Sequence, residues 1–129
     1  MSQFNYPFSY IGLDHVVLRC RDLPAMLEFY TQVLGCTLER VNGQLHHLRV
    51  GSSLIDLTPA TADISTQNMD HICLRLEAPD WDQISRHLTE RGIESSPPAS
   101  RFGADGVGLS IYLEDPEGNG LELKGSPAD

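Results

Sequence analysis

The sequence predicts an α+β fold made of two tandem βαβββ modules, and three observations predict it. Apolar residues switch along the chain between a period of two and a period near that of a helix. Short alternating runs are separated by Asn42-Gly43 and Gly51-Ser52, where hairpin turns form. Residues 69–76 also repeat residues 13–20 at an offset of 56, pairing Asp14 with Asp70, His15 with His71, Leu18 with Leu74 and Arg19 with Arg75. Internal duplication of this extent sets the architecture.

Taken in order, residues 1–10 have no clear period and form an N-terminal arm. Residues 13–20 are rich in β-branched and apolar side chains, as a strand requires. Asp22 is a natural helix N-cap and Pro24 suits a first turn. Leu23, Met26, Leu27, Tyr30, Val33 and Leu34 then follow helical spacing up to Gly35. Strands are expected at 37–41, 45–50 and 53–58. The second half begins again with a strand at 69–76 and a helix capped by Asp80, with Trp81, Ile84 and Leu88 on one stripe and Gly92 at its end. A short strand is expected at 93–96, a Pro/Gly loop at 97–106 and a strand at 108–114. A turn follows through Asp115, Pro116, Gly118 and Asn119. The last strand, 120–124, matches 54–58 at an offset of 66, so the second unit holds ten extra residues, expected in the 97–106 loop. The chain thus reads as one domain, 11–125, with modules at about 11–60 and 67–125.

Composition narrows the function classes. A chain of 129 residues with 40% hydrophobic and 21% charged residues suits a single globular domain. A net charge of −9 argues against a nucleic-acid partner. No apolar run has membrane-spanning length, and the first residues lack the pattern of a signal peptide. Cys20, Cys36 and Cys73 form no framework and fit reduced thiols in a cytoplasmic protein. There is no phosphate-binding glycine motif and no nucleophile elbow.

Side chains alternate across a strand, so His15, Val17 and Arg19 oppose Val16 and Leu18, while His71, Cys73 and Arg75 oppose Ile72 and Leu74. In the same way Asp56 opposes Ile55 and Leu57, and Glu122 opposes Leu121 and Leu123. Either histidine alone reads as a solvated or satisfied side chain. The repeat-matched set of His15, His71, Asp56 and Glu122 reads instead as a metal site. Two imidazoles and one or two carboxylates suit a divalent first-row ion (Ni, Zn, Mn, Co or Fe(II)) with a position left for substrate.

Four stretches resemble the vicinal oxygen chelate superfamily: residues 13–18, 29–35, 69–72 and 112–122. That superfamily includes glyoxalase I, fosfomycin-resistance thiol transferases, extradiol dioxygenases and the bleomycin-resistance proteins. The resemblance implies a glyoxalase-type fold, in which two modules form a cup-shaped, barrel-like mixed sheet around one metal. It implies ligands from the first and last strands of each module, here His15, Asp56, His71 and Glu122. It also implies a homodimer, with the cup often completed by strands of both chains.

The implied chemistry is chelation of adjacent substrate oxygens, with an enediolate or alkoxide stabilised by the metal. Glu122 or Asp56 would move a proton as general base. Arg19 and Arg75 would hold an anionic part of the substrate, or else form salt bridges at the rim. Tyr112 would bind substrate or line the cup. Cys73 would be a soft donor or a small buried group. A glyoxalase-like lyase or isomerase is the first expectation. An extradiol dioxygenase with His46 or His47 as acid/base partner, a thiol transferase and a drug-binding protein are the alternatives. Two glutathione-binding positions of glyoxalase I are occupied here by Ala60 and Gln67, and the threonine of the fosfomycin enzymes by Val17.

Overall fold

A computed structural model describes the protein at residues 7, 10, 12–60 and 71–127. The first module runs β1 (His15–Cys20), α1 (Leu23–Glu28) with a π-helical turn (Phe29–Val33) at its end, β2 (Thr37–Asn42), β3 (Leu45–Val50) and β4 (Ser53–Pro59). The second runs β5 (His71–Arg75), α2 (Trp81–Glu90), β6 (Ala99–Gly103), β7 (Gly106–Glu114) and β8 (Gly120–Pro127). The βαβββ order therefore occurs twice. Of the expected strand at 69–76, residues 69 and 70 lie outside the described residues, as does most of the expected arm at 1–10.

Local chemistry explains the boundaries. The Asp22 and Asp80 carboxylates accept hydrogen bonds from the backbone N–H of Ala25 and Gln83, capping the two helices. Gly43 has φ +63°, the left-handed conformation that the β2–β3 hairpin turn requires. One expectation is corrected. Residues 93–96 form no strand, and β6 lies inside the stretch read as loop, paired with β7 from Ala99↔Ser110 to Gly103↔Gly106. Pro97 and Pro98 cannot donate to a ladder. The ladder starts beyond them, and Ser96 reaches β7 only through its N–H to the Tyr112 carbonyl, 2.9 Å, and its Oγ, which accepts from the Tyr112 N–H, 2.9 Å.

The strands form two four-stranded sheets, β1-β4-β3-β2 and β5-β8-β7-β6, which are not closed into a barrel. The β1–β4 and β5–β8 pairs are parallel and the others antiparallel. Both sheets turn their apolar faces to one shared core. Leu18, Ile55 and Leu57 of the first sheet and Ile111, Leu121 and Leu123 of the second belong to a single buried cluster with Met26, Phe29, Tyr30 and Leu88 of the helical segments. Polar ties hold the modules together around it. Tyr30 Oη donates to Asp115 Oδ2 at 2.8 Å, the Glu117 carboxylate accepts from the N–H of Arg21 and Asp22, and His87 Nε2 donates to the Val33 carbonyl at 2.8 Å.

Candidate functional site: two half-sites on outward faces

A residue that faces away from the core on one strand faces away with its neighbours two positions on. His15 lies two residues before Val17, which is the register partner of Asp56 on β4. His71 lies two residues before Cys73, which is the register partner of Glu122 on β8. The duplication thus becomes a repeated geometry: an imidazole on an edge strand beside a carboxylate on the adjoining parallel strand. Both carboxylates are buried, Asp56 at 2% exposure and Glu122 at 6%.

On the first sheet, His47 Nδ1 lies 2.9 Å from Asp56 Oδ1. His15 Nδ1 is bound to Asp14 Oδ2 at 2.7 Å. That Asp14 contact holds the imidazole above its ordinary pKa, and the Asp56 charge adds to the effect. On the second sheet, Glu122 is gripped from two sides. Ser110 Oγ donates to its Oε2 at 2.7 Å, and His71 Nε2 stands 3.4 Å from its Oε1. The Tyr112 ring meets the His71 ring edge-on, with centroids 6.2 Å apart. Arg101 fixes that tyrosine, its Nε donating to Tyr112 Oη at 3.1 Å.

The remaining sequence-derived candidates fall as follows. Arg19 is exposed on β1, and Arg75 is paired with Asp105 at 2.7 Å, a rim salt bridge. Cys73 is exposed, which corrects the expectation of a small buried group. As the register partner of Glu122 on an edge strand, it has no neighbour on its other side among the described residues. Its thiol is held above the usual range, first by partial desolvation and next by the Glu122 charge.

A divalent metal fits these residues by donor type. Among the described residues no three His, Cys, Asp or Glu side chains converge so as to hold a metal ion. The cause is the shared core: each sheet buries its apolar face there, so the His15/Asp56 and His71/Glu122 faces both point away from it. The first face carries His15, His47 and Asp56 and the second His71, Cys73 and Glu122, and neither set converges.

Alternation along the strand puts Ser110 on the polar face with Tyr112 but gives it no role; sequence reasoning gave Arg101 and Lys124 none either, and it weighed His47 only as an acid/base stand-in. The His47 contact was countable. From the Gly51-Ser52 turn, pairing Val50 with Ser53 brings His47 opposite Asp56, as the structure has it. Arg101 was hidden by the loop expectation for its strand. Lys124 is buried at 3% exposure, with Nζ donating to the Gly106 carbonyl at 2.9 Å. No pattern in the sequence marks a lysine for burial.

Comparison with known proteins gives these features a family. The chain is 31% identical to the glyoxalase domain-containing protein RDO1 of Mycosarcoma maydis over 87% of its own length and 66% of that protein's. It is 32% identical to biphenyl-2,3-diol 1,2-dioxygenase 3 of Rhodococcus globerulus over 87% of its own length and 62% of the relative's. It thus spans just under two thirds of each of these relatives. The solved structure of virulence protein STM3117 from Salmonella typhimurium superposes with a TM-score of 0.79 at 25% identity, covering 92% of this chain and 99% of that one. Residues 12–123 match the family model described as the Glyoxalase/Bleomycin resistance protein/Dioxygenase superfamily, and the chain belongs to that superfamily.

Proposed function

We propose that the protein is a divalent-metal-dependent, glyoxalase-like enzyme of lyase or isomerase type whose site is assembled from two copies of the chain. The observation that carries this reading is the duplicated pair of imidazole and buried carboxylate on outward faces. β1 and β5 each end a sheet, with an outer edge to which no described strand is paired. Exposed apolar side chains lie on or beside β1, Leu13 at 79% and Val17 at 48%. A β1 edge laid against the β5 edge of a second copy extends one sheet into the other. It also brings His15 and Asp56 of one chain to His71 and Glu122 of the other, and two such copies share two sites.

A metal held by these four residues supplies Lewis-acid polarisation of two adjacent substrate oxygens. The chain's own residues do the rest. With Nδ1 of His15 tied to Asp14, its Nε2 is the nitrogen left to serve as donor, in the way that carboxylates orient metal-binding histidines. Ser110 holds Glu122 Oε2 while Oε1 faces His71, so Glu122 is aimed before substrate arrives. Glu122 or Asp56 carries the proton between neighbouring carbons of the substrate. Tyr112, fixed by Arg101, offers its hydroxyl beside the reacting oxygens, and Arg19 stands on the His15 face, while Arg75 is held by Asp105 at the rim.

Subunit complementation tests the reading. His15→Ala and Glu122→Ala homodimers each lose tight binding of added Ni(II) or Mn(II). A mixed dimer of the two variants regains one of its two sites, because one site then carries both substitutions and the other none. Failure of both pure and mixed proteins, with wild-type uptake intact, would place the four ligands within one chain. No uptake by the wild-type protein would leave the drug-binding alternative. A second reading, an Fe(II) extradiol-type dioxygenase, is favoured by the 32% identity to the dioxygenase. Oxygen uptake on catechol by Fe(II)-loaded protein distinguishes it, and turnover of hemithioacetals or thiol transfer distinguishes the others.

A further inference from the structure

The second half-site opens onto a cleft of about 1040 Å³ that His71 lines. It lies at the end of the sheet where β5 and β8 begin and β7 ends. One part of its wall is apolar, from Phe29, Ile93, Tyr112 and Pro116. Another part carries the exposed carboxylates of Glu94 and Glu114. Asp115 also lines it, but both its oxygens are engaged by Tyr30 and Asn119 and by the turn backbone. Among the described residues no lysine or arginine contributes to the wall. Basic groups beside lining residues have other work: Arg101 binds Tyr112, and Arg91, next to Gly92, donates to the His87 carbonyl.

We propose that this cleft receives the substituent that a substrate carries beyond its chelating oxygens, and that it selects a neutral or cationic aromatic group over an anionic one. A ring finds the Phe29 and Tyr112 surfaces. A positive charge on that ring's tail finds two carboxylates, and a negative charge meets the same two with no lysine or arginine among the described lining to offset them. Glu94 and Glu114 are then the residues that set specificity, and thiol conjugates with several carboxylates are poor substrates. The inference deepens the proposed function only in taking the cleft to continue a chelating site. The cleft belongs to one chain, so its charge preference can be measured without metal.

The test has two arms. In the first, metal-free protein is titrated with 2-phenylethylammonium, 2-phenylethanol and phenylacetate, followed by NMR shifts of the Ser95, Tyr112 and Glu114 amides. The ammonium should bind roughly five- to tenfold more tightly than the carboxylate, the yield of one or two solvent-exposed charge contacts. In Glu94→Gln/Glu114→Gln protein the ratio should fall to about twofold or less with the alcohol unchanged, and in wild-type protein added salt should shrink it. Equal or tighter binding of phenylacetate, a ratio that survives both substitutions, or no shifts at these amides overturns the proposal.

In the second arm the same three tails are carried on catechol and titrated with Mn(II) present. Enhancement of all three over the metal-free values, in the same charge order, joins the cleft to the chelating site. Loss of the enhancement with the first arm intact sinks the chelation reading and leaves the charge preference standing.

Discussion

Asp56 and Glu122 are buried carboxylates, and a buried carboxylate is tolerable only where its oxygens find donors. Among the described residues no buried side-chain nitrogen or oxygen lacks a partner. The donor to Glu122 Oε2 is the fully buried Ser110. Ser110→Ala strands that oxygen and should lower stability by about 1–3 kcal/mol in urea unfolding. It should also weaken metal uptake, since Glu122 is then free to turn. The thiols separate in the same way by surroundings. Burial pushes Cys20 up to about 12 and raises Cys36, while Cys73 is exposed. Iodoacetamide at mildly alkaline pH should therefore add one group to the native protein, at Cys73, and three after unfolding, as read by mass spectrometry. His15 gives the pH dependence. Its folded pKa is raised by Asp14, so protonation favours the folded state. The stability it contributes is complete below its ordinary value of 6.5 and is lost as pH rises through the folded midpoint. On metal-free protein, NMR should place that midpoint above 6.5, and Asp14→Asn should lower it.

At the scale of elements, the β7–β8 turn does more than reverse the chain. Asp115 Oδ1 accepts from the N–H of Glu117 and Asn119, while its Oδ2 accepts from Asn119 Nδ2 and Tyr30 Oη. Gly118, at φ +82°, lets the turn close around that carboxylate. Glu117 reaches back to cap the N–H groups of Arg21 and Asp22, 2.9 and 2.6 Å away, at the approach to α1. Tyr30→Phe should cost about 0.5–1.5 kcal/mol, one hydrogen bond, because Asn119 still serves Oδ2. Glu117→Ala should cost more, about 2–4 kcal/mol, since it removes both backbone bonds and a longer one from Arg21 Nε. Denaturant midpoints check both. β6 and β7 also make room for β8 and its Lys124: a Cβ at Gly103 would stand 3.0 Å from Lys124 Cε and one at Gly108 2.6 Å from the Gly125 carbonyl oxygen, so Gly108→Ala should part β7 from β8.

Periodicity made these elements legible, together with the turn chemistry of Asn42-Gly43 and the caps at Asp22 and Asp80. It failed at β6, where Ser100, Arg101 and Phe102 carry no apolar alternation because both their faces are largely exposed. It failed again at the end of α1. The π-helical turn leaves the residues of the apolar stripe unchanged, and only the backbone registers the wider turn. The half-site pairs were legible because the repeat prints His and acid twice. Their orientation was not, because alternation says which residues share a face and not where the two faces point.

For the whole molecule, that orientation follows from one core serving two sheets. If the proposed edge pairing between copies is right, Leu13→Asp should shift the sedimenting species from dimer to monomer without changing the circular dichroism of the fold, and metal uptake should vanish with it. The single core carries a further consequence, about ancestry. The chain repeats a half-length unit, but neither half owns a closed interior. Severed from the other, the first would leave Leu18, Ile55, Leu57 and Tyr30 uncovered, and the second Ile111, Leu121 and Leu123. A forebear of one module could have folded only by seating its apolar face on a twin. The covalent join between modules makes intramolecular what would otherwise be an encounter between separate molecules.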